Sequence, residues 1–475
     1  MSRRRYLPPH EVEIDRLGKK GLGMGRASDG RDIAVRGAPP GSRVLVQPFK
    51  RKKNTWHGRR LALIRPPLEQ LAPACPAFGL CGGCSLQELP LEAQQRHKYT
   101  YALGEVAGPL GLDVASLREQ VTVHDLRSAG RPYAYRNKVE LTFGTARYLS
   151  EADLAAGEPI DGSFLGFHAS GRFDRVVDRD GCAIASPPID RVVQVVREIA
   201  LREGAPACWN PRSHTGFWRH LRIRVGQQTG EVLVGLYTAP AQTSEERRAV
   251  VAVAEALGSA QLDATLAGVV WIENASHGDV AQGDITKVWG QPYLRERIGK
   301  VTHRVSLDAF FQVNTPGAEV LVDAVREALG PPARVLYDLY CGIGTFGLQF
   351  ADRYEEMFGI EEVAVAIEDA HFNASQNNVS GVWRAARVEA VLESIEGGTG
   401  VHLLVDPPRA GLHPKAASAF AATHADVLVY VACKPGALGR DAVALTAGGW
   451  RLTDLWAVDL FPQTGHLEMV GRFVR

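Results

Sequence analysis

The sequence predicts an α/β protein in three parts: an N-terminal β-barrel, a central α+β region and a doubly wound C-terminal domain. Three observations lead there. From about Leu307 short apolar strands alternate with helical segments, the signature of a parallel sheet. Two of those strands, 401–405 and 427–431, are almost continuously apolar, as strands covered on both faces are. Charge divides the chain as well. Residues 1–60 hold 16 Lys/Arg against 5 Asp/Glu, a net of +11, and the remainder holds 38 against 48, a net of −10.

The first part, residues 1–66, alternates apolar and polar residues in short pieces at 11–14, 32–35 and 43–46. Glycine-rich interruptions such as Gly21-Leu22-Gly23-Met24-Gly25 separate them, which predicts a small barrel of the oligonucleotide-binding type. A basic module joined to an acidic body points to a polyanionic partner, and Lys50-Arg51-Lys52-Lys53 would supply salt-sensitive phosphate contacts.

The middle part, residues 67–305, carries alternating segments at 138–143, 221–225, 231–236 and 268–272, with helical periodicity around 187–203 and 244–257. An antiparallel sheet with flanking helices is the expectation. Three of the seven cysteines cluster here as C-x5-C-x2-C: Cys75, Cys81 and Cys84, with Gly82-Gly83 between the last two. Cys182, in Asp180-Gly181-Cys182, is the best distant fourth, and Cys208 and Cys341 have packing explanations. Four thiolates hold either zinc or a [4Fe–4S] cluster. Zinc sites more often show two close pairs, and disulfides are not expected in a cytosolic chain.

The last part, residues 306–475, carries the chemistry. Strands are expected at 334–339, 356–360, 401–405 and 427–431, entered past Pro331-Pro332. Asp338-Leu339-Tyr340-Cys341-Gly342-Ile343-Gly344-Thr345 is a glycine turn before a helix expected from Phe346, and such turns let a ligand approach the backbone. Glu361 ends the next strand, where an acid commonly binds ribose hydroxyls. Together these point to a nucleoside cofactor, a dinucleotide or S-adenosylmethionine. Asp406-Pro407-Pro408-Arg409 stiffens a loop at a strand end, Cys433 terminates another strand, and Glu468 opens the final one. A nucleophile, a general base and a cofactor crevice are thus expected in one site. No apolar run approaches the roughly 18 residues of a membrane span. The expectation is a cytoplasmic monomer without a membrane partner.

The strings Asp406-Pro407-Pro408-Arg409-Ala410-Gly411-Leu412, Tyr430-Val431-Ala432-Cys433-Lys434-Pro435 and Phe461-Pro462-Gln463-Thr464-Gly465-His466-Leu467-Glu468 resemble the S-adenosylmethionine-dependent RNA uridine C5-methyltransferase family. Phe310-Phe311-Gln312-Val313-Asn314 and the 338–345 turn match its remaining motifs in the same order. The likeness covers nearly the whole chain. It implies a Rossmann-like methyltransferase domain, a TRAM-like barrel, and the iron–sulfur site of the branch acting on 23S ribosomal RNA, with Cys75, Cys81, Cys84 and Cys182 as ligands. Transfer RNA is the alternative substrate. A non-catalytic RNA-binding iron–sulfur protein is the alternative of another class. A cytosine C5-methyltransferase is disfavoured, because no Cys follows Pro407-Pro408.

The resemblance makes Cys433 the nucleophile that adds to uracil C6 and Glu468 the base that removes the C5 proton. It assigns Gln312, Tyr340, Thr345, Glu361 and Asp406 to the cofactor pocket, and it implies a flipped target base. The chain departs from the family at Lys434, where Asn is usual, and at Thr345, where Asn is common. A lysine beside Cys433 would lower the thiol pKa or point to solvent. The family's adenine-side Asp or Asn has no assigned counterpart around Arg387-Val388-Glu389.

Overall fold

The computed structural model describes residues 7–395 and 397–475. Five strands, His10–Leu17, Gly23–Ala27, Asp32–Val35, Thr55–Arg65 and Arg43–Lys52, close in that spatial order into a barrel. Alternation explains the closure: Val12, Ile14, Ile33, Val35, Val44 and Val46 point inward and form its core. So small a barrel brings backbones close. A Cβ on Gly25 would lie 2.0 Å from the Glu13 carbonyl oxygen.

The central sheet has seven strands in the order Val176–Asp178, Asp161–His168, Lys138–Ala146, Trp218–Val225, Glu231–Thr238, Thr265–Glu273 and Asp284–Gly290. It is antiparallel except where 231–238 pairs in parallel with 265–273. That exception has a physical cause: parallel neighbours need a crossover, and the helix Ser244–Ser259 provides it. Helices Pro187–Ala200 and Ser244–Ser259 pack on the sheet through Ile189, Val193, Val196, Val250 and Val253.

The catalytic sheet has nine strands, ordered Val382–Ala385, Tyr354–Glu361, Ala333–Leu339, Val401–Val405, Val427–Ala432, Glu468–Val474, Arg451–Asp459 and Thr122–Val123, with Arg127–Ser128 also paired to 451–459. Helices cover both faces, as the apolar runs predicted. Thr315–Leu329 and Ala364–Gln376 pack on one face, and Leu91–Ala107, Pro414–Ala422 and Pro435–Ala447 on the other. Strands leave Ala333–Leu339 in both directions, so the order switches between it and Val401–Val405. A crevice opens at such a point, outside the carboxyl ends of the strands.

One boundary differs from the expectation. The central part does not keep everything from residue 67 onward. Helices Leu91–Ala107 and Val114–Gln120 and strands 122–123 and 127–128 join the catalytic sheet, because Leu103, Val106 and Leu117 are buried in the same core as Phe420 and Leu438. The glycine turn is followed, as expected, by a helix, the short segment Gly347–Phe350, which runs on into a 3-10 turn at Ala351–Arg353. No helix among the described residues is long and apolar enough to cross a membrane.

Candidate active site and cysteine site

Pairing of the last strand brings Cys433 and Glu468 together. Val427–Ala432 runs antiparallel to Glu468–Val474, with Ala432 opposite Met469, so Cys433 and Glu468 leave the ladder side by side. Because 468–474 runs against its neighbours, its first residue stands at the edge where the parallel strands end. Asp406 reaches that edge from Val405, and its backbone N–H donates to the Leu339 carbonyl at 3.2 Å.

Glu468 is buried, and neither its carboxylate nor that of Asp406 has a hydrogen-bond partner among the described residues. Burial, reinforced by the Asp406 charge and opposed by Arg409, pushes Glu468 up to about 8. Burial with Asp338 and Glu361 nearby pushes Asp406 up to about 8 as well. The Cys433 thiol is raised from an ordinary value near 9 to about 11, first by burial and then by Glu468 and Asp406. Arg409 is the cation that draws the thiol down. Lys434 instead occupies the cap of the helix Pro435–Ala447, without a side-chain capping bond, and faces a cavity.

The crevice itself is acidic. Tyr340 sits at φ +63°, Gly342 at +55° and Gly344 at +82°, which turns the chain sharply after Leu339. Glu361 fixes this turn: its carboxylate accepts from Gly342 N–H at 3.2 Å and from Val363 N–H at 2.9 Å. Asp338 accepts from Gly347 N–H at 2.8 Å with one oxygen while its other oxygen has no partner, and burial raises it to about 7. The Tyr340 phenol bonds to Glu389, and burial together with that acid pushes it up. Glu389 is thus the acid that the 387–389 segment contributes, a residue the family pattern of Asp or Asn did not single out.

The expected residues do not all converge. Cys433, Glu468 and Asp406 share one electrostatic neighbourhood, and Asp406, Glu361 and Tyr340 share another. Gln312 lies on the segment leading into the helix Thr315–Leu329, where its carbonyl accepts from Asn137 Nδ2 at 3.0 Å. Its side-chain amide, in a residue only 8 % exposed, bonds no described residue. Thr345 is half-buried in the turn and likewise makes no hydrogen bond to a described residue.

The loop before Glu468 is clamped, which sequence reading missed. Lys98 Nζ donates to Asp459 Oδ1 at 2.5 Å and to the Phe461 carbonyl at 3.2 Å. Tyr135 donates to the Pro462 carbonyl at 2.9 Å. Gln463, held at φ +68°, exchanges two 2.9 Å bonds with the Gln94 amide, and its carbonyl accepts from Ser85 and Leu86 N–H. Gln94 and Lys98 are spaced i, i+4 on one helix face. That spacing between two polar residues was the available signal.

Ser85 follows Cys84, so the cysteine segment is part of this clamp. Cys75, Cys81, Cys84 and Cys182 line one cavity of about 240 Å³. Burial, with Cys182, Cys81 and Cys75 nearby, pushes Cys84 up to about 12. Among the described residues no group of three or more His, Cys, Asp or Glu side chains is arranged to hold a single metal ion. The remote Cys182 therefore joins the other three around a shared space rather than around one point.

A thiol and an unpaired buried carboxylate at the edge of a doubly wound sheet, above an acid-lined crevice, define a group-transfer site of the methyltransferase class. Residues 286–474 match the model of the tRNA (uracil-5-)-methyltransferase family. An RNA methyltransferase of Chlorobaculum tepidum is 33% identical over 98% of this chain and 96% of its own length. The tRNA (uracil(54)-C(5))-methyltransferase of Pyrococcus abyssi is 29% identical over 94% of this chain and 96% of its own. The crystal structure of the Pyrococcus abyssi tRNA (uracil-54, C5)-methyltransferase with S-adenosyl-L-homocysteine superposes with a TM-score of 0.74 at 25% identity. It covers 98% of this chain and 99% of that one. The chain belongs to the tRNA (uracil-5-)-methyltransferase family and is an RNA methyltransferase.

Proposed function

We propose that the protein transfers a methyl group from S-adenosylmethionine to C5 of a uridine in RNA, with Cys433 as nucleophile and Glu468 as base. The observation that carries this reading is the pairing of Cys433 with a buried, unpartnered Glu468 at one strand end. C5 of uracil is a weak nucleophile. Addition of the Cys433 thiolate to C6 turns the ring into an enolate and makes C5 nucleophilic. S-adenosylmethionine supplies the electrophilic methyl group when bound. C5 then carries both the methyl group and a proton. Glu468 removes that proton, the C6–S bond breaks, and the thiolate of Cys433 is regenerated. Burial makes Glu468 a stronger base than an exposed carboxylate, which suits a carbon acid.

The crevice fits a cationic cofactor. Among the described residues the Asp406 carboxylate has no donor, and one oxygen of Asp338 is unpartnered. Gln312, Tyr340, Thr345, Glu361 and Asp406 would hold S-adenosylmethionine, with the carboxylates set against its sulfonium charge and its ribose hydroxyls. The Pyrococcus abyssi structure, solved with S-adenosyl-L-homocysteine, supports this cofactor.

The four cysteines fit a [4Fe–4S] cluster better than zinc. All four are thiols around one cavity, and a cuboidal cluster spreads its ligands more widely than a single ion does. Cys75, Cys81, Cys84 and Cys182 would hold it, and its contribution is to fix the segment that clamps Gln463.

The basic barrel and the four cysteines support 23S ribosomal RNA as substrate of a cytoplasmic monomer. The full-length likeness to a transfer RNA enzyme supports transfer RNA as the second reading. Labelled S-adenosylmethionine with unmodified ribosomal and transfer RNA decides between them through the fraction in which 5-methyluridine appears. RNA containing 5-fluorouridine should form a covalent adduct with the protein. An adduct that survives Cys433→Ala would overturn the mechanism.

A further inference from the structure

A second cavity, about 470 Å³, opens beside the catalytic thiol. Its wall includes Cys433, Lys434, Arg409 and His466 from the catalytic domain, and Lys19 and Lys20 from the barrel. The barrel residues belong to the turn Lys19–Gly21, far in sequence from everything else in the site. We propose that this barrel turn forms, with Arg409 and Lys434, a phosphate-binding subsite that grips the RNA backbone next to the target uridine.

Three features carry the inference, which rests on the RNA reading above. First, the turn is seated against the catalytic loop. A Cβ on Gly465 would lie 2.1 Å from Gly21 N, and one on Gly21 would lie 2.5 Å from Ser85 Oγ. Barrel, cysteine segment and catalytic loop therefore meet at Gly21, Ser85 and Gly465, so the lysines are fixed relative to Cys433. Lys20 is held at φ +63°, a conformation that side chains rarely adopt.

Second, the cations are free. The side-chain ammonium groups of Lys19, Lys20 and Lys434 have no ion-pair or hydrogen-bond partner among the described residues, and the Arg409 guanidinium bonds only the His466 ring, at 3.2 Å. Lys98 also lines the cavity, but Asp459 neutralises it, and Glu105 is the acid in the wall. Third, the field is felt locally. Burial, then Arg409, Lys98 and Lys20, hold the His466 imidazole down to about 4, leaving a neutral ring among cations. Four unneutralised cations around one opening suit a chain of phosphates.

The test uses the full chain and a short oligouridylate. Removing two phosphate contacts with K19Q/K20Q should flatten the dependence of log Kd on log salt by about 1.4, at about 0.7 per contact for single strands. An unchanged slope overturns the subsite. A 5-fluorouridine at the centre of the oligomer then fixes the register on Cys433 in the presence of S-adenosylmethionine. Neutral methylphosphonates flanking it should slow capture by the wild type about tenfold, as two weak charge contacts of about 0.7 kcal/mol each would. The same neutral oligomer should cost K19Q/K20Q less than about twofold more. Independent, multiplying losses would place the lysines elsewhere and overturn the inference. If the wild type captures nothing, the catalytic reading fails, and the salt slope still decides the subsite.

Discussion

Cys433 should be a slow thiol at neutral pH. At about 11 instead of about 9 it is about a hundredfold less ionised at pH 7. A more basic thiolate is also the better nucleophile, by about six- to tenfold over that interval. The two effects leave it about ten- to sixteenfold slower than an ordinary exposed cysteine. Iodoacetamide labelling of the free protein, followed by peptide mapping of Cys433, measures this between pH 6 and 10. The rate should climb about tenfold per unit with no plateau below pH 10, because the thiolate population grows until the raised pKa is reached. The neighbours set two further signs. Arg409→Gln removes the cation that lowers the thiol and should slow labelling across the range. Glu468→Gln should change little at pH 7, where an acid at about 8 is mostly protonated, and should accelerate labelling severalfold above pH 8, where the wild-type carboxylate is charged. A plateau near pH 8, or a Glu468→Gln effect confined to acid pH, would refute this account of the site.

Other outcomes follow from the same groups. Glu468→Gln should lower turnover about 10²- to 10⁴-fold, and a denaturation-resistant protein–RNA adduct should accumulate with ordinary uridine, visible on a gel. Affinity for S-adenosylmethionine should rise from pH 6 to pH 9 as Asp406 ionises, while S-adenosyl-L-homocysteine, lacking the sulfonium charge, should respond less in calorimetry. Lys98→Met strands a buried Asp459 and should cost about 3–5 kcal/mol in urea unfolding, with Lys98→Met/Asp459→Leu recovering most of it. Anaerobically purified protein should contain iron and sulfide, and Cys182→Ser should lower both together.

Much of the catalytic sheet was legible because strands covered on both faces write themselves as apolar runs. Val427–Ala432 breaks at Cys433-Lys434-Pro435, so the strand end and the thiol beside it were visible together. Asp406 was legible for the same reason. Residues 114–128 were not: the strands 122–123 and 127–128 are too short to carry a period, and their allegiance is set by contacts across the fold. Gln94 and Lys98 were misleading in isolation. They are 0% and 2% exposed, yet their polarity reads as a solvent face until Gln463 and Asp459 arrive from the far end of the chain. Sequence reading put the phosphate contacts at Lys50–Lys53. The basic turn that reaches the site is Lys19-Lys20, chosen by how the barrel docks and not by local charge density.

Opposite fields meet at Cys433. On one side Asp338, Glu361, Asp406 and Glu468 make a buried acidic crevice, and on the other Lys19, Lys20, Arg409 and Lys434 line an open basic cavity. On the proposed function, a cationic cofactor and a polyanionic substrate would be sorted to different sides of one thiol. On the same reading the arrangement would govern when Cys433 is available as a nucleophile. With the crevice empty, burial holds the thiol protonated, and Glu468 and Asp406 add to this where they ionise, above about pH 8. A sulfonium entering the crevice offsets those acids, and Arg409 already pulls in the same direction. A phosphate bound at Lys19, Lys20 and Arg409 takes up part of that cationic pull and would leave the thiol less acidic. On the proposed mechanism, cofactor binding before RNA would unmask the thiolate, because the cofactor's charge would lower the pKa that the RNA's charge would raise.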